Sequence, residues 1–472
     1  MSSTSKARQR IQSLLDANSF VEIGALVKAR ATDFNMAAAR ESSDGVITGY
    51  GLIDGRLVYV YSQDADVLGG SIGEMHAKKI VSLYNLALRT GAPVIGMIDS
   101  SGLRLQEGID ALEAFGEIYA KQAQASGIIP QISAIFGNCG GGLALFPAMT
   151  DFTLMEKDAS LFVNSPNALA GNREEVNNTA AADKKAAAGD VDFVGTEEEI
   201  FAQIRYLAGM LPSNNEDDAS AECMDDLNRV CASAAAFVED PCAAMTEIAD
   251  GGVVFETKKG FAKEMFTCIA TLGGNTVGIA ANRGCAYDEN GEKAEEFGNA
   301  LTTAGCAKAA ALVRFCDAFD IPVITLTNAS GFAQCACEEN TVASAAAGLA
   351  SAFAGATVPK INVITKRAGG SAYAVMNSKA LGADLTFAYT DASVGILEGK
   401  YAASVLCDGS ADEVKAAAKA YDELQNSIDA AAARGVVDQI IAPEDVRKYL
   451  IGAVEMLYSK REALPSRKHA SI

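Results

Sequence analysis

The chain of 472 residues has none of the long apolar runs that cross membranes. Every apolar run is shorter than the ~20 residues that a helix needs to span a bilayer. Residues 1–16 also lack the apolar segment of a secretion signal. We therefore expect a cytoplasmic protein without direct membrane insertion.

Basic charge and paired cysteines are also scarce. The 39 Lys and Arg residues are outnumbered by 60 Asp and Glu residues, and the net charge of -21 offers no basic surface for nucleic acid. The 11 Cys residues include no CxxC pair and no Cys/His cluster, and only Cys335 and Cys337 lie close together. We expect neither a metal site nor a disulfide framework, and no nucleic-acid partner.

Side chains for familiar catalytic mechanisms are few. Only two histidines are present, His76 and His469, so a Ser-His-Asp mechanism has almost no base to use. The string GGSIG at 69–73 matches the GxSxG pattern with Ser71 at the nucleophile position, but no His and acid pair accompanies it. We interpret it as a turn and His76 as an ordinary helix residue. Without a GxxxxGK[ST] motif or a GxGxxG motif after a strand, ATP or NAD chemistry is not indicated.

What the sequence does have is enough apolar residues for two domains. Hydrophobic residues make up 49% and charged residues 21%, a composition typical of a globular protein. A chain of this length exceeds a single hydrophobic core. A polar, turn-rich segment at 211–218 separates the halves, and we predict domains at residues 1–222 and 223–472.

An internal repeat supports this division. Two apolar strand patterns of the first half return in the second half, 91–102 at 321–331 and 129–135 at 358–364. Their opening prolines, Pro93 and Pro130, are separated by the same number of residues as Pro322 and Pro359. Helical patterns at 74–90 and 308–319 alternate with these strands, which indicates an α/β fold.

A glycine-rich turn follows the second strand of each half. It reads CGGG at 139–142 and AGGS at 368–371, with Gly141 and Gly370 at equivalent repeat positions. Glycines here let backbone N–H groups approach a ligand closely, and such donors can stabilise an oxyanion. A single copy would be explained by a tight strand-helix junction. Two copies favour a site for two carbonyl-like groups, although duplication would also copy a structural loop.

Seven motifs spread over nearly the whole chain point to one family. They are DGVITG at 44–49, SQD at 62–64, GGSIGE at 69–74, DSSGLRLQEG at 99–108, GNCGGG at 137–142, RFCDAF at 314–319 and RGVVDQIIAP at 434–443. Together they resemble the biotin-dependent acyl-CoA carboxyltransferases, which include carboxylase β subunits and related decarboxylase subunits. The resemblance implies an α/β fold built from a tandem pair of crotonase-like domains of the ClpP/crotonase superfamily.

The resemblance also implies a reaction. A carboxyl group moves between carboxybiotin on a partner protein and the α-carbon of a short acyl-CoA thioester, such as propionyl-CoA or methylmalonyl-CoA. The implied catalytic residues are Gly141 and Gly142 for the thioester enolate and Gly370, Ser371 and Ala372 for biotin. No Met-Lys-Met biotinylation site is present, so biotin arrives on another polypeptide.

The family further implies partners and binding residues. Expected partners are a biotin carboxyl carrier protein and either biotin carboxylase or membrane decarboxylase subunits. The expected assembly is a dimer-built homo-oligomer, a hexamer in the family, with the site at a dimer interface. Candidates for CoA binding are Arg104, Lys78, Lys79 and Arg30, although solvated surface charge is an equally good interpretation of each. Arg104 is the strongest of these candidates, yet a structural ion pair is the favoured single role for it. Ala374 occupies the position that tunes acyl length.

Two departures from the family pattern leave the acyl group and the reaction direction open. An Asp-x-Pro-Gly-Phe motif is replaced by NASGF at 328–332, and a Glu-Leu-Gly-Gly stretch is replaced within 175–188. Two other interpretations therefore remain. One is a crotonase-like hydratase or hydrolase that uses Glu107 or Glu117 as its catalytic carboxylate. The other is a non-catalytic scaffold of a biotin-dependent complex.

Overall fold

The structure is a computed structural model that describes residues 5–30, 43–218, 220, 222–288 and 290–463. The chain divides into two compact units. The N unit comprises Met1–Ala219 with Lys258–Phe261, and the C unit comprises Ser220–Thr257 with Ala262–Ile472. The placement of a domain boundary between residues 222 and 223 stays a prediction. Among the described residues, no helix has the length and apolar character to span a membrane, and the cytoplasmic location also stays a prediction.

The N unit alternates strands and helices. Its strands are β1 (Val21–Ile23), β2 (Val46–Ile53), β3 (Arg56–Gln63), β4 (Val94–Ser100), β5 (Gln131–Gly140), β6 (Phe152–Glu156), β7 (Ser160–Phe162) and β8 (Phe193–Gly195). Its α-helices are α1 (Lys6–Leu14), α2 (Glu74–Thr90), α3 (Ile109–Ala125), α4 (Leu145–Ala148), α5 (Ala182–Ala188) and α6 (Glu197–Met210).

The C unit repeats this alternation with additional short elements. Its strands are β9 (Val254–Glu256), β10 (Met265–Leu272), β11 (Asn275–Asn282), β12 (Cys285–Tyr287), β13 (Lys293–Glu296), β14 (Ala300–Leu301), β15 (Val323–Ala329), β16 (Gly331–Phe332), β17 (Lys360–Gly369), β18 (Leu385–Tyr389), β19 (Ser393–Gly395) and β20 (Gln439–Ile441). Its α-helices are α7 (Pro241–Ile248), α8 (Thr303–Ala318), α9 (Ala336–Glu339), α10 (Val342–Gly355), α11 (Gly370–Val375), α12 (Gly399–Leu406), α13 (Ala411–Tyr421), α14 (Ile428–Ala433) and α15 (Val446–Leu457).

The main sheets of the two units have the same topology. The N-unit order is β1-β2-β3-β4-β5-β6-β8 with β7 paired to β5, and the C-unit order is β9-β10-β11-β15-β17-β18-β20 with β19 paired to β17. In each sheet the first strand pairs with the second, and the second with the third, in antiparallel orientation. From the third strand onward, neighbouring strands pair in parallel orientation. Each N-unit strand thus has a counterpart, so the predicted α/β fold and internal duplication are confirmed.

The helix that precedes the first repeated strand shows how local sequence sets the elements. Helix α2 spans the predicted residues 74–90 and buries Ile80, Leu83 and Tyr84. It ends at Gly91, whose φ of 63° is the left-handed conformation that closes many helices. Its counterpart α8 begins earlier than predicted, because the Thr302 side chain accepts a hydrogen bond from the Gly305 N–H and so caps the helix there.

The core lies around the central parallel strands. All seven residues of β15 are buried, as are the first six of β5. A parallel sheet covered on both faces requires such apolar strands. In β5 the burial ends at Gly137 and Asn138, so the strand emerges from the core just before its glycine turn.

Candidate active site

The N-unit glycine loop joins β5, an interior strand of the sheet, to a short helix. After β5 ends at Gly140, residues Gly141–Ala144 form a 3₁₀ turn that continues into α4. Gly141 has a φ of 66°, a conformation that L side chains rarely adopt. A Cβ atom at Gly141 would meet no heavy atom within 4 Å. Glycine is therefore required here by backbone conformation, and the space beside it is open.

The C-unit glycine loop has the same construction. Strand β17 ends at Gly369 and α11 starts at Gly370, which has a φ of 56°. The backbone is tightly packed one residue earlier, since a Cβ atom on Gly369 would lie 2.9 Å from the Ser330 carbonyl oxygen. Positive φ thus occurs at the equivalent position of both units, at the end of equivalent strands.

Both loops present backbone donors. The first N–H groups of any helix have no acceptor inside that helix. In the N unit these groups belong to Gly141 and Gly142, and in the C unit to Gly370 and Ser371. Gly142 and Ser371 are exposed. Each loop can therefore offer N–H groups to an oxyanion without any titratable side chain.

A tyrosine that the sequence did not single out contacts the N-unit loop. The Tyr119 hydroxyl donates a hydrogen bond of 2.7 Å to the Gly142 carbonyl oxygen. A Cβ atom on Gly142 would lie 2.9 Å from the same hydroxyl. The Tyr119 ring packs edge-on against Phe146, with ring centroids 5.6 Å apart. Tyr119 thus fixes the peptide group that links Gly142 to Leu143.

The C-unit loop is bordered by a polar network around Glu239. The side-chain amide of Asn328 donates to Glu239 Oε2 at 3.2 Å, and that of Asn299 donates to the same oxygen at 3.0 Å. Lys366 of β17 also donates to Glu239. Burial raises the pKa of Glu239, but the hydrogen bonds from Lys366 and Asn299 lower it overall.

Asn328, which opens the altered NASGF motif, uses its amide as a donor in this network. A carboxylate at this position could not donate to Glu239, whereas an amide can. The Asn328 side chain also accepts from the Arg367 N–H at 3.4 Å. Asn328 therefore links the end of β15 to β17. The contact on β17 is at Arg367, three residues before Gly370.

Two of the four predicted CoA-binding cations lie inside the N unit. Arg104 is 1% exposed. Its guanidinium makes five hydrogen bonds, to Asp44, Ser71 and Glu107, and these account for all five of its N–H donors. Lys79 is buried with its ammonium on the Val46 carbonyl, and burial lowers its pKa. Neither side chain has the geometry of a phosphate ligand, because both are occupied and shielded from solvent.

The other two predicted cations lie together on the surface. Lys78 and Arg30 both pair with Glu74 at the start of α2, and Arg30 also pairs with Asp110 at 2.8 Å. Their side chains are 51% and 40% exposed. Of the predicted C-unit residues, Ala372 is fully buried and Ala374 is exposed, both in α11.

The GxSxG string is a turn, as interpreted from the sequence. The Ser71 hydroxyl donates to the Leu68 carbonyl at 2.7 Å and accepts from Arg104 Nε at 3.2 Å. His76 is fully buried with Nδ1 on the Asp44 carbonyl at 2.9 Å, and burial lowers its pKa to about 3. Neither residue is placed for nucleophilic catalysis.

The carboxylates suggested for a hydratase differ in position. The Glu107 side chain is fully enclosed, where it accepts from the Glu74 N–H at 2.7 Å and pairs with Arg104 at 3.0 Å. It cannot reach a substrate. Glu117 is exposed on α3. Across the described ranges, no cluster of three or more His, Cys, Asp or Glu side chains could hold a metal ion.

Comparison with known proteins gives matches along the entire chain. The family model of the carboxyl transferase domain matches residues 4–472. The propionyl-CoA carboxylase beta chain of Roseobacter denitrificans is 38% identical, over 99% of this chain and 93% of its own. The methylmalonyl-CoA decarboxylase subunit alpha of Veillonella parvula is also 38% identical, over 99% of this chain and 92% of its own.

Solved structures show the same likeness. The transcarboxylase 12S hexamer with hydrolysed methylmalonyl-coenzyme A bound superposes with a TM-score of 0.90 at 34% identity, covering 98% of this chain and 91% of that one. A single-chain, multi-domain long-chain acyl-CoA carboxylase gives a TM-score of 0.78 at 21% identity and covers 95% of this chain and 45% of that one. The latter is a likeness of fold alone.

Proposed function

Because the chain belongs to the carboxyl transferase family, we propose that it moves a carboxyl group between biotin on a partner protein and a short acyl-CoA. Relatives from two organisms are named for propionyl-CoA and methylmalonyl-CoA, which differ by one carboxyl group at the α-carbon. The transcarboxylase neighbour binds methylmalonyl-coenzyme A. Propionyl-CoA and methylmalonyl-CoA are therefore the proposed substrate pair.

The observation that carries this proposal is the pair of equivalent glycine loops. Gly141 and Gly370 have positive φ at the same place in two sheets of the same strand order. A carboxyl transfer of this type has two carbonyl-like groups to stabilise, the thioester and the ureido group of biotin. Two loops built alike, one in each unit, supply one set of donors for each group.

The N-unit loop is assigned to the thioester. When the α-carbon loses a proton or a carboxylate, negative charge moves onto the thioester oxygen. N–H groups of Gly141 and Gly142, already oriented by the helix start, stabilise that charge without reorganisation. The open space beside Gly141 leaves room for a thioester to approach.

The C-unit loop is assigned to biotin. When bound, biotin supplies a ureido nitrogen that carries the transferred carboxyl group. The backbone N–H groups at Gly370 to Ala372 would hold the ureido oxygen. The Ser371 side chain is small and that of Ala372 is buried, so neither obstructs the approach of a ring system to this helix start.

Lys78 and Arg30 are the proposed contacts for CoA phosphates. Both are exposed and lie around Glu74 on one side of α2. A phosphate group binds the cationic side chains of Lys78 and Arg30 more strongly than a single exposed carboxylate does, because it brings more negative charge and several acceptor oxygens. Arg104 and Lys79 are left out because both are buried and already paired.

Exposed apolar side chains favour a homo-oligomer. In the N unit, Leu105 precedes α3 and Ile109 and Leu112 lie one turn apart at its start, and the three are 84%, 72% and 58% exposed. In the C unit, Tyr401 and Val405 lie one turn apart on α12 and are 55% and 78% exposed. Such patches mark interfaces. Since transcarboxylase 12S assembles as a hexamer, we assign both patches to contacts with other copies of this chain.

The full-length protein, free biotin and single acyl-CoA esters suffice for the test. Methylmalonyl-CoA, malonyl-CoA and glutaconyl-CoA would each be incubated with and without biotin, and loss of the carboxyl group followed by mass spectrometry. We expect biotin-dependent loss from methylmalonyl-CoA. Gly142→Val should abolish it by displacing Tyr119, whereas Gly116→Val should not, because Gly116 has no heavy atom within 4 Å of its Cβ position.

Three results would contradict the proposal in different ways. Turnover that does not require biotin would support the hydratase or hydrolase interpretation. Binding of every ester without turnover would support the scaffold interpretation. Turnover that survives in Gly142→Val would remove the N-unit loop from the mechanism.

A further inference from the structure

Two cysteines stand apart from the other nine. All eleven cysteines lie in the described ranges and none of them is in a disulfide, and Cys335 and Cys337 are the two that are exposed. Their sulfur atoms lie 2.7 Å apart, a hydrogen-bonded pair on the surface of the C unit. The remaining cysteines are buried or half-buried. The chain thus displays one accessible dithiol.

The two thiols of this pair are not equivalent. The hydrogen bond from Cys337 lowers the pKa of Cys335, and the backbone N–H of Glu338 adds to this effect. The pKa values of buried thiols shift the other way. Burial raises them at Cys139, Cys268, Cys306 and Cys316. Because the thiolate is the reactive form, Cys335 should react before these buried thiols.

The dithiol occupies a defined place in the fold. It follows β15 and β16, and β16 packs against α11, the helix that begins at Gly370. Strand β16 is held by β14, and the Ala333 N–H donates to the Leu301 carbonyl at 2.9 Å. Both thiols are therefore carried by an ordered segment anchored close behind them.

From this geometry we propose that Cys335 and Cys337 form a thiol-disulfide exchange site for small-molecule disulfides. Cys335 attacks one sulfur of the disulfide as a thiolate, forms a mixed disulfide and releases the first thiolate. Cys337 then attacks Cys335, gives up its proton to solvent and releases the second thiolate. The two protein thiols are oxidised by two electrons to one internal disulfide, and the small disulfide is reduced to two thiols.

The pairing should make the second step fast. A lone surface cysteine would stop at the mixed disulfide, because no second thiol is near. Here the resolving sulfur is already in contact with the attacking one. The proposal stands on this pair alone and does not depend on the carboxyl transfer assigned above.

The test uses the full-length protein with oxidised glutathione as the probe. After incubation over a series of oxidised to reduced glutathione ratios, free thiols would be blocked with a maleimide and the digest analysed by mass spectrometry. We expect the peptide with both cysteines to lose two hydrogen atoms and gain no maleimide. In Cys335→Ser and Cys337→Ser, the remaining thiol should instead end as a mixed disulfide with glutathione. Cys407→Ser, which removes a half-buried thiol, should behave like the unaltered protein.

Either of two results would overturn the proposal. One is a wild-type protein in which both thiols accept maleimide, or both carry glutathione, at ratios that convert the single variants fully. The other is modification of Cys407 or Cys223 at the same rate as Cys335, because the pair would then have no special reactivity. Each variant's thermal melting curve shows whether it is folded, so loss of structure is distinguished from loss of reactivity.

Discussion

At the scale of single residues, the backbone of the N-unit glycine loop is held by a side chain from outside the loop. The Tyr119 hydroxyl fixes the carbonyl of Gly142 at 2.7 Å. If the N-unit loop holds a developing oxyanion, the orientation of this peptide plane affects the transition state more than the ground state. Tyr119 is therefore a positioning residue.

Tyr119→Phe tests this role. Removing one hydrogen bond of this kind should lower kcat for biotin-dependent decarboxylation about 3- to 10-fold, with little change in KM. Steady-state kinetics measure both. Tyr449→Phe, in α15 of the C unit, is the matched control and should leave both constants unchanged. A rise in KM with kcat intact would mean that Tyr119 contributes to binding instead.

Asn328→Asp tests the network beside the C-unit loop. The substitution replaces a donor to Glu239 with a second carboxylate in a site that is 1% exposed. Like charges there should raise the folded-state pKa of the pair, so stability is lost as pH rises through that pKa. We expect a loss of about 1–3 kcal/mol at neutral pH, shrinking as pH falls.

Urea unfolding at several pH values measures this loss. Asn167→Asp is the matched control, because Asn167 also donates to a carboxylate, Glu174, at 3.2 Å but does so on the exposed surface. It should cost little at any pH. Equal losses for the two substitutions would show that burial of the Glu239 network does not matter.

His76 gives a prediction about pH. Its pKa is about 3 in the folded protein, below the ordinary value of 6.5, because the ring is buried and near Arg104. As pH falls below 6.5, the unfolded chain binds a proton at this residue and the folded chain does not until about pH 3. Stability should therefore decrease on acidification through this window, by up to ~1.4 kcal/mol per pH unit.

His76→Asn should flatten this acid slope. An amide can donate to the Asp44 carbonyl, as the imidazole does, but does not titrate. Unfolding free energies measured at several pH values between about 3 and 6.5 would show the smaller slope of the variant. The same slope in both proteins would assign the acid sensitivity to other groups.

At the scale of elements, the pattern of apolar residues and glycines was enough to place the repeated strands. The bounds of α2 were also predictable, because its apolar spacing is regular and Gly91 ends it. The start of α8 was not, since its signal is the single capping side chain of Thr302. Helical spacing alone does not reveal a cap that lies outside the apolar face.

The contacts of individual side chains were less predictable than the elements. A structural ion pair was the favoured role of Arg104, but its partner could not be named, because Asp44 lies just before β2, far earlier in the chain. Such pairing depends on which strands become neighbours, and the sequence near Arg104 does not encode that. Tyr119 was missed for the same reason, because its partner Gly142 lies beyond the next strand.

At the scale of the whole molecule, other copies of the chain are proposed to cover the exposed apolar patches. Val405→Glu should therefore reduce the assembly to smaller species and lower the biotin-dependent activity. Light scattering coupled to size exclusion measures the mass. Met456→Glu is the control, because Met456 is a 59% exposed methionine on α15, outside both patches. An unchanged assembly in Val405→Glu would remove α12 from the interface.

Two loops of one design are proposed to serve two different ligands, and one pair of variants separates their roles. Gly141→Ala and Gly370→Ala introduce the same strain, a side chain at a φ of 66° or 56°. Kinetics would be measured with free biotin and methylmalonyl-CoA varied independently. We expect Gly141→Ala to lower kcat/KM for methylmalonyl-CoA and Gly370→Ala to lower kcat/KM for biotin, each by about 10-fold or more. If both variants change the same dependence, or neither changes any, the division of roles between the loops is wrong.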